Sequence, residues 1–468
     1  FGDDFSTDIF GTDFFPNIDT NYLGYLDMWG ILDRGFDNLG GGPAIVTNGP
    51  PFFVAFRNKV PPFLDFRGRI LYRHMQSFLP KDADPLDDFR VQLEAGYYTD
   101  RYFLEQYFKR LFDSGLDQRT RIYAIRQWRN QAITANAEAM PMSWITQSQW
   151  YPKLDYYRLG DAPLGLGRFF TYYQRTGVSY ANTATASEVN NPTLFFGFLP
   201  FDPTTQTSGP FRTGRLYTNH QLDLPLQFQA IRLTPYVQGQ LIGWDNQYTN
   251  PLPAMGYDPT LVAQDYIRGP QGSMIGRAWG AYGARADISF SRVFPNVEND
   301  LLNVHGLMHK VVLYANYRTA DATLGLNRIG VQEELDDNTY ELVRRYFALN
   351  DYGTGVLPAQ YNPLLLTLRR ASSPITGPVD VQDSIQSVRL GTLQRLQTKR
   401  GPIDDRRIID FMTLDVSTFY YPEATRDNFG VPFGQTQYDY KWFLGDRTSI
   451  VSSGWFDYFD IVGDPRNP

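Results

Sequence analysis

The 468-residue chain contains no cysteine, which excludes disulfides and thiolate-ligated metal or iron–sulfur sites. Charged residues are scarce at 20%, and acidic residues outnumber basic ones by 50 to 43, which gives a formal net charge of −7. A net negative chain lacks the electrostatic footprint of a nucleic-acid-binding protein. We therefore expect no nucleic-acid partner.

Long hydrophobic runs are also missing. The longest apolar block covers residues 194–199, far short of the roughly 20 residues that a membrane-spanning helix needs. The first twenty residues contain no basic residue, so they do not form a secretory signal. Neither a Ser/Gly/Pro-rich linker nor an internal repeat divides the chain, which predicts one continuous domain over residues 1–468.

What the sequence does contain is strict alternation of apolar and polar residues. Residues 64–73 place Leu, Phe, Gly, Ile and Tyr at even positions against Asp, Arg and Leu at odd positions. Similar alternation marks residues 89–97, 222–229 and 282–291. A period of two indicates β-strands with one apolar and one polar face. Many segments are about ten residues long, the length of a tilted strand that crosses a bilayer, whereas ordinary strands have about 5–6 residues.

The polar faces carry full charges, as in the water-filled lumen of a wide barrel. Tyr and Trp recur at the predicted strand ends, for example at Tyr97-Tyr98, Trp150-Tyr151 and Tyr420-Tyr421. Such clusters are typical of the aromatic girdle of a membrane barrel. The predicted fold is all-β, a large antiparallel transmembrane outer-membrane β-barrel. Aromatic packing in a soluble β-core is the alternative interpretation.

One segment departs from this pattern. Residues 338–352 have helical spacing of apolar residues, and Asn338 and Glu341 have the spacing of a capping box. The segment lies in a region without strand signals between about 320 and 385, which predicts a short helix in a long loop on one rim of the barrel.

The chain offers little for catalysis or metal binding. It has no nucleophile-elbow, phosphate-loop or dinucleotide-binding fingerprint. His305 and His309 fall at a strand start, where positions four apart lie about 13 Å from each other. The acidic residues 333–337 lack the order of a calcium loop. We expect no enzyme activity, metal or cofactor, although the many carboxylates leave a glycosidase-like pair open.

Arginine greatly outnumbers lysine, and several arginines fall on the predicted polar faces. Guanidinium groups match phosphate and carboxylate oxygens in two-point contacts. This pattern predicts a lumen that binds an anionic, sugar-bearing amphiphile, and cross-lumen ion pairing that holds the barrel's shape is the equally weighted alternative. Arg126 is expected on the same face as the candidate substrate-binding residues, which are Arg67, Arg69, Arg73, Arg90, Glu94, Arg285, Asp287 and Arg389.

Several blocks resemble a known family in their order along the chain. Residues 96–108 contain Thr99-Asp100-x-x-Phe103-Leu104, which resembles the S/T-D-x-x-F-L segment of the lipopolysaccharide-assembly protein LptD, or organic solvent tolerance protein, family. The further blocks that resemble this family are Pro152–Leu159, Asn303–Val311, Leu390–Lys399, Asp410–Val416, Asp446–Thr448 and Gly454–Asp457.

The resemblance implies an outer-membrane translocon that inserts lipopolysaccharide into the outer leaflet through a wet lumen and a lateral seam between the first and last strands. It also implies a plug lipoprotein of the LptE type, periplasmic lipid-transport bridge proteins and membrane lipids as partners. The disulfide clamp common in that family is impossible here, since the chain has no cysteine. The upstream periplasmic domain and the last strands of the barrel are expected to lie outside these residues.

Two other functions remain open on the sequence. The same kind of barrel serves as a porin or a receptor-type transporter for small solutes. A soluble β-rich carbohydrate-active enzyme would be compatible with the strands and the plentiful carboxylates, without a membrane.

Overall fold

The computed structural model describes residues 22–39, 43–45, 54–56, 64–79, 84, 86–100, 102–113, 119–139, 141–142, 147–162, 169–184, 211–246, 273–326, 329, 332, 363–370, 373–401, 406–444 and 448–459. The predicted helix at 338–352 and the acidic residues 333–337 lie outside these ranges. In the described part, no helix is both long enough and apolar enough to span a membrane.

Strands dominate the described residues. They are β1 (Tyr22–Leu32), β2 (Pro43–Ile45), β3 (Val54–Phe56), β4 (Phe66–Ser77), β5 (Asp87–Tyr98), β6 (Thr120–Trp128), β7 (Gln131–Ala139), β8 (Gln147–Asp161), β9 (Thr171–Ala184), β10 (Phe211–Asp223), β11 (Leu226–Phe228), β12 (Ile231–Trp244), β13 (Ile275–Asn299), β14 (Val304–Ala322), β15 (Ile385–Arg400), β16 (Arg407–Tyr420), β17 (Phe433–Phe443) and β18 (Ser449–Phe456). The described ranges also contain four short helices: α1 (Phe103–Tyr107), α2 (Lys109–Asp113), α3 (Pro363–Arg369) and α4 (Ala424–Asp427).

All strands except β2 and β3 belong to one 16-stranded antiparallel sheet, and β2 and β3 form a separate hairpin. Within the sheet, neighbours along the chain are neighbours in space, apart from the excluded hairpin. The short strand β11 continues the line of β10, since both pair with β12. Pro225 lies in the gap between them, where its missing N–H interrupts the ladder. The predicted all-β, antiparallel architecture is therefore confirmed.

The two ends of the sheet are β1 and β18. In the described ranges, β1 pairs with β4 and β18 pairs with β17, and the sheet order does not join β1 to β18. Closure into a barrel and passage through a membrane therefore stay predictions.

The alternation seen in the sequence separates the two faces of the sheet. In β4, Phe66 is 59% exposed on one face, whereas Arg67 is fully buried on the other. The same division continues across the sheet, because antiparallel partners face the same side. On the face that we call the apolar face, the large exposed side chains include Leu26, Met28, Ile70, Ile122, Ile133, Leu154, Val178, Leu216, Val237, Leu241, Tyr282, Leu313, Leu390 and Ile450.

The opposite face, which we call the polar face, buries charged and amide side chains. In β10 it presents Thr213, Arg215, Asn219, Gln221 and Asp223, and each of these residues is buried. A soluble sheet normally buries its apolar side and exposes its polar side. Here the polarity of the two faces is reversed.

The aromatic pairs at the strand ends divide between these faces. Tyr97 is exposed on the apolar face, whereas its neighbour Tyr98 is buried. Likewise Tyr151 is exposed and Trp150 is buried. Because consecutive strand residues point to opposite sides, only one ring of each pair reaches the position expected for a girdle.

Tyrosines on the polar face lie over glycines of the adjacent strand. The ring of Tyr314 in β14 covers Gly391 in β15, and the ring of Tyr236 in β12 covers Gly283 in β13. A Cβ atom at either glycine would clash with the ring. Such aromatic–glycine contacts fix strand register and allow local curvature of a sheet.

The two ends of the strands differ in their connections. One end carries the connections 78–86, 129–130, 162–170, 229–230, 300–303, 401–406 and 444–448, none longer than nine residues. At the opposite end lie the connections 33–65, 99–119, 140–146, 185–210, 245–274, 323–384 and 421–432, most of which are longer.

Two buried apolar clusters lie at the end with long connections. One joins Trp244, Trp279, Ile329, Val379 and Tyr421 with neighbouring side chains. The second packs Tyr98, Phe103, Leu104, Phe112 and Met142 together. Residues 373–384 belong to the long connection that we predicted on the rim, but they pack against the polar face of the sheet rather than above it.

Candidate functional site: the polar face

The eight predicted binding residues lie on the polar face. The register places Arg73 opposite Glu94, and Arg69 and Arg67 follow at alternate positions of β4. Likewise Arg285 and Asp287 share the face of the buried Arg277 in β13. Arg389 of β15 pairs with Asn316, which stands opposite Arg285. Sequence periodicity therefore assigned the face of these residues correctly. Whether they bind a substrate stays a prediction.

Arg67 is the most deeply buried member of the set. Its Nε and Nη2 atoms donate to the two carboxylate oxygens of Asp100, at 2.8 Å each. Its Nη1 atom donates to Asp37 at 2.6 Å and to Asp33 at 3.0 Å. The sequence predicted that Arg67 faces a water-filled lumen. In the structure its side chain is 0% exposed, because three carboxylates surround the guanidinium.

Helix α1 covers this arginine–aspartate cluster. Phe103 and Tyr107 pack with Trp29 of β1 at ring-centroid distances of 5.4 and 4.8 Å. The Tyr107 hydroxyl donates to Asp33. Burial, reinforced by this hydrogen bond, raises the pKa of Tyr107 to about 12, and the same bond lowers the pKa of Asp33.

The pKa of Asp37 is shifted in the opposite direction to that of Asp33. It is buried, and its Oδ2 atom has no hydrogen-bond partner among the described residues. Burial raises the pKa of Asp37, although the hydrogen bond from Arg67 works in the other direction. The cluster therefore contains one carboxyl that is easier to protonate and one that is harder to protonate than usual.

The next residues of β4 pair with acidic neighbours. Arg69 forms an ion pair with Asp27 of β1, and its guanidinium lies 3.8 Å from the ring centroid of Phe108. Arg73 donates to Glu94 at 2.8 Å. The other oxygen of Glu94 accepts the backbone N–H of Arg119 at 2.9 Å. These contacts tie β1, β4 and β5 together.

Other members of the set are accessible to solvent. Arg90 pairs with Asp88 at 2.6 Å and is 43% exposed. Arg285 forms an ion pair with Asp223 and its guanidinium lies over the Tyr236 ring at 5.0 Å. Because these side chains can reach water, they are the better candidates for contact with a passing ligand.

Asp287 and Arg389 complete the set. Asp287 accepts two hydrogen bonds from Arg232, at 2.9 and 2.8 Å, and Arg232 is also exposed. Arg389 donates to the Ser417 hydroxyl at 3.1 Å.

The prediction for Arg126 is wrong. The register places Arg126 opposite Phe89, on the apolar side of the sheet, and it pairs with Asp87 at 3.4 Å near the end with short connections. Because side chains alternate along β6, the pairing with β5 places Arg126 on the same side as the exposed Ile122. A charge at a strand end can reach solvent from either face.

The alternative role predicted for the arginines is cross-lumen ion pairing, and the observed ion pairs can be compared with it. Arg73–Glu94 and Arg232–Asp287 join adjacent strands, and Arg285–Asp223 spans a single intervening strand. The observed pairs therefore tie neighbouring strands of the sheet together.

Sequence reasoning missed a buried polar network that spans several strands. Arg175, Arg215, Arg277 and Arg318 are buried on the polar face of β9, β10, β13 and β14. They contact residues 374–382 of the connection before β15. Alternation could have placed these arginines on the polar face, but nothing in the sequence predicts the segment that covers them.

It also missed Asp33, Asp37 and Asp100 as partners of Arg67. A signal existed for one of them, since Asp100 belongs to the Thr99-Asp100-x-x-Phe103-Leu104 block. In the fold, Asp100 binds Arg67 and also accepts the backbone N–H of Tyr102 at 3.1 Å, while Phe103 and Leu104 are buried beside it. This block is therefore the start of a helix anchored on a buried arginine.

Among the described residues, no group of three or more histidine or acidic side chains has a geometry suited to a metal ion. The chain was compared with models of protein families and with curated proteins, and neither comparison gave a match.

Proposed function

We propose that this chain forms the wall of an outer-membrane β-barrel that transfers lipopolysaccharide, or a closely similar anionic glycolipid, into the outer leaflet. The observation that carries this proposal is the reversed polarity of the sheet. Apolar side chains such as Leu216 and Leu241 are more than 60% exposed on one face, while arginines are buried on the other. No covalent chemistry is assigned to the chain.

The extent of the apolar face supports a lipid environment. Exposed apolar side chains recur from β1 to β18. The largest apolar patch of a typical soluble monomer covers about 300–600 Å². A face that extends over a 16-stranded sheet exceeds this by far, and lipid is the medium that covers such a surface without cost.

The unequal connections support an orientation. Bacterial outer-membrane barrels have short periplasmic turns and long extracellular loops. On that basis the end with connections 99–119, 185–210, 245–274 and 323–384 faces outward. The exposed ion pairs of Arg90, Arg232 and Arg285 then line the route of the polar headgroup.

These pairs suit an anionic headgroup. A guanidinium that is paired with a carboxylate at a half-exposed site contributes only about 0–1 kcal/mol to stability. In the Arg90–Asp88 and Arg232–Asp287 pairs both partners are partly exposed, so the carboxylate can give way to a phosphate without a large energetic loss, because Arg binds both groups in the same manner. The acyl chains would leave through the seam at the edge strands β1 and β18.

The partners follow from the same proposal. A plug lipoprotein of the LptE type would occupy the interior, and periplasmic bridge proteins would deliver the lipid. A porin would need an open interior, whereas residues 373–384 cover part of the polar face from β9 to β14, near the end with long connections. Their packing argues against free diffusion of solutes there.

Photo-crosslinking in cells tests the cargo. A photoreactive residue at Arg90 or Arg285, in the full-length protein, is expected to capture lipopolysaccharide. The same residue at Phe228, which is exposed on the apolar face at the end with short connections, is the matched control and should capture phospholipid of the inner leaflet instead. Heat-modifiable migration on SDS gels confirms that each variant is folded. Folded variants that capture no glycolipid at either polar position would contradict the proposal, and solute conductance in planar bilayers would favour a porin.

A further inference from the structure

Residues 373–384 run along the polar face between α3 and β15. Ile375, Val379 and Val381 are buried, and the latter two pack with Trp244 and Trp279 of the sheet. The segment is therefore held in place as part of the core. Buried arginines of the sheet also surround the segment.

At each contact with these arginines, the sheet donates and the segment accepts. Arg175 of β9 donates to the carbonyl of Gly377 at 2.8 Å. In the same way Gln240 of β12 donates to the carbonyl of Val379 at 2.9 Å. At these contacts the sheet supplies the N–H donors and the segment supplies the oxygen acceptors.

Two guanidinium groups converge on Asp380. Arg215 of β10 pairs with its carboxylate at 2.6 Å, and both side chains are 0% exposed. Arg277 of β13 donates to the backbone carbonyl of the same residue at 3.1 Å. The backbone N–H of Gln332 donates to the Asp380 carboxylate at 2.6 Å. A carboxylate removed from water is stable only with such a set of donors.

A third guanidinium joins at Gln382. Arg277 donates to its backbone carbonyl at 2.7 Å, and Arg318 of β14 donates to its side-chain oxygen at 2.9 Å. Arg277 therefore links the contacts at Asp380 and Gln382, and three arginines from three strands surround a stretch of three residues.

We infer that Arg215, Arg277 and Arg318 form an oxyanion-binding site whose resident ligand is the segment centred on Asp380. The site takes a phosphate or a carboxylate, because planar guanidinium forks match these groups in geometry and charge. Asp380 supplies the carboxylate from within the chain. This inference does not depend on the proposed cargo or on the membrane.

Anion rescue of an Asp380 variant tests the site. In the purified full chain, Asp380→Ala leaves the buried Arg215 without its carboxylate and is expected to lower the unfolding midpoint. Inorganic phosphate, compared with chloride at equal ionic strength, should restore most of that loss in a saturable manner. Adding Arg215→Leu to Asp380→Ala should abolish the saturable response.

The control is Asp410→Ala, which removes the carboxylate of the half-exposed Arg395–Asp410 pair. Phosphate also stabilises proteins generally through exclusion from their surface, and this control measures that effect. If Asp380→Ala fails to fold in chloride, recovery of folded protein in phosphate becomes the readout, and Asp380→Asn provides a variant of the same shape. A phosphate response of both Asp380 variants no larger than that of Asp410→Ala would overturn the inference.

Discussion

Arg67 and Asp100 lie 33 positions apart in the chain and are joined by two parallel hydrogen bonds of 2.8 Å each. The pair connects the start of β4 to the residues that follow β5, and Asp33 and Asp37 attach the end of β1 to the same guanidinium. One buried arginine therefore holds three consecutive strands of the sheet together at the end with long connections.

Replacing Arg67 with Met is expected to destabilise the fold strongly. Breaking a buried ion pair from one side costs about 3–5 kcal/mol, because the partner charges stay buried without compensation. Denaturant unfolding of the full chain measures the loss. The control Arg232→Met breaks a pair whose arginine is 65% exposed, and it should cost about 0–1 kcal/mol. Equal losses for the two variants would contradict a special role of Arg67.

Asp37 is expected to make stability depend on pH. Burial raises its pKa above the ordinary 3.8, so the folded protein holds this proton more tightly than the unfolded chain. The contribution is therefore present below pH 3.8 and is lost as the pH rises through the raised value. Asp37→Asn should flatten the decline of stability above pH 3.8, measured by unfolding at a series of pH values. Identical pH profiles for Asp37→Asn and wild type would refute this.

Asp33 provides the contrasting control in the same cluster. The hydrogen bond from Tyr107 lowers its pKa below the ordinary 3.8. Its contribution is present above pH 3.8 and is lost as the pH falls through the lowered value. Asp33→Asn should therefore lower stability at neutral pH and leave the change above pH 3.8 intact.

A charge on the apolar face distinguishes lipid from water. Val237 lies in the middle of β12 and is 52% exposed, so Val237→Arg would change stability by less than about 0.5 kcal/mol in water. At the centre of a bilayer the same change costs about 2–4 kcal/mol. Leu86→Arg, in a connection at the strand ends, is the control. Unfolding from bilayers should separate the two variants, and equal small effects would count against a membrane.

Gly391 is expected to tolerate no side chain. A Cβ atom there would overlap the Tyr314 ring, whose hydroxyl also donates to Asp415 at 2.9 Å. Gly391→Ala should therefore cost about 1–3 kcal/mol, as overpacking usually does. Gly239→Ala is the matched control, since its Cβ would meet no atom within 4 Å. Partial recovery of stability in Gly391→Ala with Tyr314→Ser would identify the overlap as the cause.

Alternation in the sequence predicts much of the strand pattern and the side on which strand residues lie, although the segment 222–229 is interrupted between β10 and β11. A period of two places every second residue on one face, so residues 64–73 already separated Phe66 and Ile70 from Arg67 and Arg69. The eight candidate residues were assigned to the polar face for the same reason. Arg126 was the exception, since register decides which face a charged residue at a strand end joins.

Tertiary contacts set which polar residues are buried and which reach solvent. Arg67 and Arg285 both occupy polar positions of alternating strands, yet one is enclosed by three aspartates and the other is 45% exposed. Asp380, the partner of Arg215, lies far away in the sequence, in the connection before β15. Alternation specifies a face but carries no information about what covers it. That depends on how distant connections fold back, because burial and ion pairing arise from contacts between residues far apart in sequence.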